Sequence, residues 1–491
     1  MSWYLTYTVA YFLFMFAIGA YYFTKVKTSD AYLIAGWNMG YWSITGTIIS
    51  TWCGAAVFIG WVGMGFSVGM SGYFKFALPG ILVSMLLIYF FSKPLRRQRL
   101  YTLADLFSER FGKRAGVFPS IFSAFVYSVP TTALQIVGMS TIFNIVFGTP
   151  IGYGIALSFA LILGFTILGG LVATIVTDAM QSIVVISGII VLAIAAIIFG
   201  GGFSEIMKNT PQEYLAPLGE KGMGDVLVFA LTVAPFYLVW QSTWQRIFAS
   251  RTEEVAIKAG LTGFGIVLAI SLLPYMIGVI ARQFVPLDMR PDLIFSYVTV
   301  ELLHPAIGGI VIVGLLSALM TGADSFILQG SSNLAQDFYH RLINPSASEK
   351  QKMVVARLSV VIISLLAVMV AYLMTDIIAM YQWALRLSAT TLVIPFLAVM
   401  FWRRATSMGC FLSMALAAGT TILWPTLGTS IDPVFPGFLV SLCTLVSISF
   451  MTSHAGDESV KAVYWEDLPS AESRQGKESS TPHVTAKEQL Q

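Results

Sequence analysis

Residues 315–341 read LLSALMTGADSFILQGSSNLAQDFYHR, a stretch apolar enough to enter a bilayer and too polar to be inert there. Within about one span's length it places Ser317, Thr321, Asp324, Ser325, Gln329, Ser331 and Ser332. At helical spacing Ser317, Thr321, Asp324 and Ser325 fall on or near one face, and Phe326, Ile327 and Leu328 broaden the other. A carboxylate at mid-bilayer is costly unless it faces water, an ion or a partner, so Asp324 marks a candidate functional site. The rest of the chain has to supply its partners.

Composition agrees with a membrane setting. The 491 residues are 57% hydrophobic and only 11% charged, with a mean hydropathy of +0.79. These values describe an all-α polytopic membrane protein and exclude a large soluble enzyme. The net charge of +3 says little, because placement of charge outweighs its sum in such chains. Cys53, Cys410 and Cys443 have neither CxxC nor Cys/His spacing and read as small apolar packing residues. His304, His340, His454 and His483 do not cluster. No Walker-type GxxxxGKS/T, GxSxG, HExxH or CxxCH occurs, so ATP-driven transport and covalent catalysis lack residues. The protein is therefore expected not to be an enzyme, and to need no cofactor beyond a coupling ion.

Runs of spanning length fall at 3–23 and near 39–65, 72–92, 115–147, 151–173, 177–201, 225–249, 256–284, 306–333, 353–375, 379–402, 407–428 and 433–452, about thirteen helices. The first lacks a basic n-region and a small-residue cleavage site, so it is expected to stay attached. Lys and Arg concentrate after helices 1, 3, 7, 9 and 11, among them Arg96, Arg110, Arg246 and Arg341. The positive-inside rule then puts the N-terminus outside and the C-terminus in the cytoplasm of a plasma (inner) membrane protein. The basic run 93–114, with Leu100, Leu103, Leu106 and Phe107 at helical spacing, reads as an amphipathic connector on the headgroups and not as a nucleic-acid site. The transmembrane domain is expected over 1–452. A Ser-, Glu-, Lys- and Pro-rich tail over 453–491 reads as disordered.

Two spans are interrupted. The second carries SITGTIISTWCGAAVFIGWVGMG, where Gly46, Gly54 and Gly60 accompany Ser50 and Thr51. Either the helix breaks there, freeing carbonyls for a cation, or the small residues let helices approach closely. The seventh carries Pro235 ahead of Trp240, Gln241, Trp244, Gln245 and Arg246. Two interrupted helices five helices apart suggest two five-helix repeats, over about 39–201 and 225–402, around a midplane site.

STWCGAAVFIG, SKPLRR, ILGGLVATIVTDAMQ, WQRIFAS and ALMTGADSFILQGSSNLAQDFY, in this order and on these helices, together resemble the sodium:solute symporter family over roughly residues 1–450. The resemblance implies a LeuT-type fold of two inverted five-helix repeats with discontinuous core helices. It also implies a shared sodium site formed by Ser50, Cys53, Ala318 and Thr321. Gly322 departs from that pattern, since many relatives carry a second Ser or Thr there, and one side-chain ligand is missing. Members with a second sodium site use an aspartate that Asp178 matches and a hydroxyl that Ser325 matches, with Asp324 at another such position. Two carboxylates in one cavity would bind a cation or share a proton. The structural alternative is that Asp178 caps its helix and Asp324 pairs with a neighbouring hydroxyl or backbone group.

Trp52 and Trp240 resemble aromatic positions of the choline-carrier branch, and tryptophan faces hold quaternary ammonium groups by cation–π attraction. The other aromatics of that branch have no counterpart, because Gly80 or Ile81 and Val129 or Pro130 stand there. Tyr127, Gln135, Gln241, Tyr381 and Trp383 are further candidates for the solute cavity. Arg386 meets an anionic group or snorkels outward. The expectation is a sodium-coupled symporter importing a small polar solute, an amino acid, carboxylate or quaternary ammonium, by alternating access. The alternatives are a proton-coupled carrier using Asp324 and Asp178, or a solute sensor on the same scaffold.

Overall fold

The computed structural model describes residues 2–54, 56–219, 222–224, 232–373 and 377–453. The expected tail beyond Ser453 and the start of the seventh span, 225–231, lie outside the described residues. Among those described, the chain is helical, and the one extended pairing is an isolated bridge between Met39 and Ser250.

Among the described residues ten helices are long and apolar enough to cross a membrane, so thirteen continuous spans are not reproduced there. Two features separate the counts. Ile151–Phe199 runs for 49 residues, roughly 75 Å at the usual rise and far more than one bilayer crossing needs. It bends at Gly170, whose φ of 57° and ψ of −158° belong to glycine alone. The side chain of Tyr32 fills the bend, and its hydroxyl donates to the carbonyls of Thr166 at 3.2 Å and Ile167 at 3.3 Å. The second feature is the pair of interrupted helices, neither of which forms a continuous span.

The first broken helix runs over Tyr41–Trp52, leaves helical geometry at Cys53, and resumes as a π-helix over Ala56–Trp61 and an α-helix over Val62–Val68. The helix does break there, and its small residues also allow close packing at a different position. Gly46 permits close packing, since a Cβ there would lie 2.5 Å from the Ala179 Cα. Gly54 lies at the break. In the second broken helix the chain turns at Ala234–Pro235, continues over Phe236–Val239 and departs again at Trp240 before Gln241–Ala249. The decisive break thus falls at Trp240, beyond the proline that marks it in the sequence. The start of the first broken helix is tied to the end of the second: Met39 N–H donates to Ala249 O and Arg251 N–H to Met39 O, both at 2.9 Å.

The basic connector differs from its expectation. In Ala104–Phe111 the side chains of Leu106, Phe107 and Arg110 are buried in protein and do not lie on headgroups. Arg110 donates to the carbonyls of Ala398 (2.8 Å), Val399, Trp402 (2.7 Å) and Arg403 (3.2 Å), at the end of the helix Ile377–Phe401. A guanidinium is favourable there because the last carbonyls of a helix carry its negative pole. Arg96 similarly donates to Ser250 O and Trp37 O. Arg96, Arg110 and Arg246 therefore serve packing inside the protein, although sequence counting assigns them to a membrane surface. Arg386 is paired with Asp432 at 3.2 Å. Large apolar side chains such as Leu13, Ile183, Ile198 and Leu373 point out of the bundle, as lipid contact requires.

Replacement of Gly170 tests the bend. Gly170→Ala puts a Cβ 2.5 Å from the Tyr32 ring at a φ that L-residues avoid. A loss of at least about 2 kcal/mol is expected, seen as a lower unfolding temperature in detergent. An unchanged unfolding temperature would show that the bend does not need glycine.

Candidate functional site

At the first break the helical ladder ends with Cys53 N–H on Ile49 O. The next relevant carbonyl, that of Ser50, accepts from the Thr321 hydroxyl at 3.1 Å, which also lies 3.0 Å from Ala318 O. Three of the four residues expected to hold a cation, Ser50, Ala318 and Thr321, thus meet at one point. Cys53 is buried at the break itself. The Ser50 hydroxyl turns the other way and donates to the Asp178 carbonyl at 2.7 Å.

One turn along, Asp178, Asp324 and Ser325 come together around Arg246. The Arg246 guanidinium lies 3.5 Å from Asp178 Oδ2, with both side chains fully buried. It also donates to Thr47 Oγ1 (2.9 Å), Ser242 O (2.9 Å) and Ser325 Oγ. Thr47 donates to Asp178 Oδ2 at 2.5 Å, and Thr174 lies 3.4 Å from Asp324 Oδ2. The charge partner missing from the sequence reading is therefore Arg246. A signal for it exists: Arg246 falls inside the 225–249 span, so the rule that singles out Asp324 applies to it equally.

The two breaks place Trp52 and Trp240 against each other, with ring centroids 5.2 Å apart. Tyr237 stacks on Trp52 at 4.9 Å, and Phe264 meets its edge at 5.0 Å. Phe236 lies 4.9 Å from Tyr127, and Phe326 lies 5.8 Å from Tyr127 and 6.5 Å from Trp240. Gly80, where an aromatic from the third span is lacking, is the seat of Tyr237: a Cβ there would lie 2.8 Å from that ring. The second broken helix thus supplies the ring that packs there against Trp52. The indole N–H groups of Trp52 and Trp240 are buried and have no hydrogen-bond partner among the described residues.

The remaining cavity candidates divide. Tyr127 belongs to the cluster, and Tyr381 lines an adjoining cavity of about 290 Å³ with Trp61, Met64 and Leu134. Trp383 is half-buried, with no ring contact to the cluster among the described residues. Gln241 is committed elsewhere. It donates to Asn333 Oδ1 at 2.8 Å and accepts from Ser123, and Asn333 in turn donates to Asp337 at 3.1 Å. Thr102 and Ser120 also donate to Asp337, and Arg341 reaches Asp105 at 2.7 Å. This buried polar ladder runs from the aromatic cluster to the Arg341 end of the protein. Gln135 sits on the opposite flank, against Gly54 and Gly322.

The model of the sodium:solute symporter family matches residues 32–417. The chain belongs to that family. As a symporter-family protein it is 26% identical over 495 residues to the osmoregulated proline transporter OpuE of Bacillus subtilis, covering 92% of this chain and 95% of that one. It is 25% identical to the sodium/pantothenate symporter of Haemophilus influenzae, covering 84% and 89%. Among solved structures, a sodium-coupled sialic acid symporter in a substrate-bound outward-open state superposes with a TM-score of 0.80, at 18% identity and 92% and 98% coverage. A nucleobase–cation symporter in a closed conformation gives 0.59 at 13% identity, with 88% and 97% coverage. The fold is the LeuT type, and the protein is an integral multi-pass membrane protein.

The ion pair yields a test. Arg246→Gln leaves two buried carboxylates without their guanidinium and is expected to destabilise the symporter by about 3–5 kcal/mol. Adding Asp178→Asn should recover most of the loss, read as a coupling energy in a double-mutant cycle of thermal unfolding. Simple additivity of the two changes would reject the pairing.

Proposed function

We propose that the protein is a secondary active symporter that uses the sodium gradient to import a small zwitterionic solute. The observation that carries this reading is the pair of unpartnered indole N–H groups inside an aromatic cluster at the two helix breaks. A buried donor left unpaired costs about 1–3 kcal/mol, so the site favours a ligand that brings an acceptor. A carboxylate suits the N–H groups, and a secondary or quaternary ammonium suits the ring faces of Trp52, Tyr237 and Trp240. The proline transporters among the relatives support an amino-acid solute of this kind, and the choline-like aromatic positions support a betaine.

Sodium is proposed to sit among the oxygens of Ser50, Ala318 and Thr321, beside Cys53, where hard ligands converge. In the neighbouring group Arg246 offsets one of the two carboxylates, Asp178 and Asp324. The remaining negative charge favours a mobile cation nearby. Arg246 would then take the part of a second sodium, and one ion would accompany each solute. The N-terminus is proposed to be outside and the C-terminus cytoplasmic, in a plasma (inner) membrane. On that orientation the 290 Å³ cavity opens outward, and the Gln241–Asn333–Asp337 ladder closes the inward path. Alternating access would open that ladder. A proton-coupled carrier is the second reading, favoured by Asp324, whose nearest side-chain groups are hydroxyls.

Uptake of labelled proline and glycine betaine into proteoliposomes tests the proposal. An inward sodium gradient should drive saturable uptake of at least one of them, and a pH gradient alone should not. Uptake that follows the pH gradient and ignores sodium would favour the proton reading and defeat the first. Trp52→Phe and Trp240→Phe keep the ring face and remove the donor, so each should raise KM about tenfold. Asp324→Asn should abolish most uptake while the protein still inserts.

A further inference from the structure

We infer that the side-chain oxygen of Gln135 is a ligand of the coupling cation, standing in for the hydroxyl that Gly322 lacks. This rests on the sodium-symport reading and adds a residue to its ion site. It moves Gln135 from the wall of the solute cavity, where sequence reasoning puts it, to the ion.

Three observations converge. Gln135 is buried on the helix Val129–Phe147, and its carboxamide lies between the first break and the helix Pro305–Ser332. A Cβ at Gly322 would lie 3.0 Å from Gln135 Oε1 and 2.9 Å from its Cδ. A Cβ at Gly54 would lie 3.5 Å from the same oxygen and 3.6 Å from the Ala318 carbonyl. The Gln135 carboxamide and the Ala318 carbonyl, one of the oxygens that meet at Thr321, therefore flank the same point at Gly54, with the amide nitrogen 3.8 Å from it.

The two glycines have no backbone reason to be glycine, since neither adopts a positive φ. In mid-helix, Gly322 is less favourable than alanine by about 1 kcal/mol. Its use is the space it leaves, which the carboxamide fills. A carboxamide oxygen is a neutral, hard acceptor with two lone pairs, as good a sodium ligand as a hydroxyl and without a proton to place elsewhere. One side-chain oxygen has thus been exchanged for another delivered from a different helix.

The test is a sodium chloride titration of the purified full-length protein at constant ionic strength, balanced with N-methylglucamine chloride and followed by unfolding temperature. Sodium should stabilise the parent protein, as any ligand of the folded state does. Gln135→Met keeps the volume and removes the oxygen, so its sodium midpoint should rise about tenfold. Gly322→Ser alone forces a Cβ onto the carboxamide and should weaken sodium as well. The combination Gln135→Ala with Gly322→Ser restores a hydroxyl to the vacated space and should bring the midpoint back near the parent value. A parental midpoint in Gln135→Met, or a double variant no better than Gln135→Ala, overturns the inference. If Thr321→Ala weakens sodium while Gln135→Met does not, the Gln135 role falls and the symport reading stands. If the parent protein ignores sodium, both fall.

Discussion

A carbonyl released from a helix at membrane depth must find a partner, and the carbonyl of Ser50 finds the hydroxyl of Thr321. Much of the central architecture follows from that need. The break that frees the carbonyl ends its helix at Trp52 and delivers that ring to the centre of the bundle. The helix that supplies Thr321 also carries Asp324, Ser325 and Phe326, so charge, hydroxyl and ring reach the same region on one rigid element. Lipid cannot satisfy such groups; protein, water or an ion must. A backbone opened here consequently needs partners that a continuous helix does not.

Arg246 supplies the fixed counterpart. Its five donors are spread over Asp178, Thr47, Ser242 and Ser325, which links the first broken helix, the kinked Ile151–Phe199 helix, the second broken helix and the Thr321 helix through a single side chain. Such a group costs much desolvation, so its gain is in position more than in stability. It holds Asp178 where the Ser50 hydroxyl can reach that residue's carbonyl, and it reaches Ser325, whose hydroxyl turns back to the Thr321 carbonyl. The two halves of the site are thereby mechanically joined.

The sequence made the broad architecture readable because membrane insertion imposes long apolar runs, and the breaks were readable because glycine, proline and polar residues are out of place within them. Thr321, Ser50 and Ala318, grouped by the family resemblance, do meet in the structure. Reading failed where side chains reach across space. Arg246 and Arg110 lie near span ends, where a positive charge normally meets headgroups, and only the fold shows carbonyls and carboxylates waiting for them. The 49-residue helix conceals two runs because Gly170 changes direction without leaving a polar loop. Tyr237 is not legible as part of the aromatic cluster because it occupies space left by Gly80 on another helix, just as Gln135 occupies space left by Gly322. In both cases one residue's small size is meaningful only beside its distant neighbour.

The shared elements also bear on coupling. Ser50 and Trp52 are two residues apart at one helix end, and Thr321 and Phe326 are five residues apart on another helix, so each of these two helices contributes to both the oxygen cluster and the aromatic cluster. On the proposed sodium site, an ion held by Ser50, Ala318 and Thr321 would also constrain Trp52 relative to Phe326 and Trp240. A solute that fixes those rings must, by reciprocity, hold the oxygens in place for the ion. On that proposal the coupling would need no direct contact between ion and solute, because both would act on the same helix break.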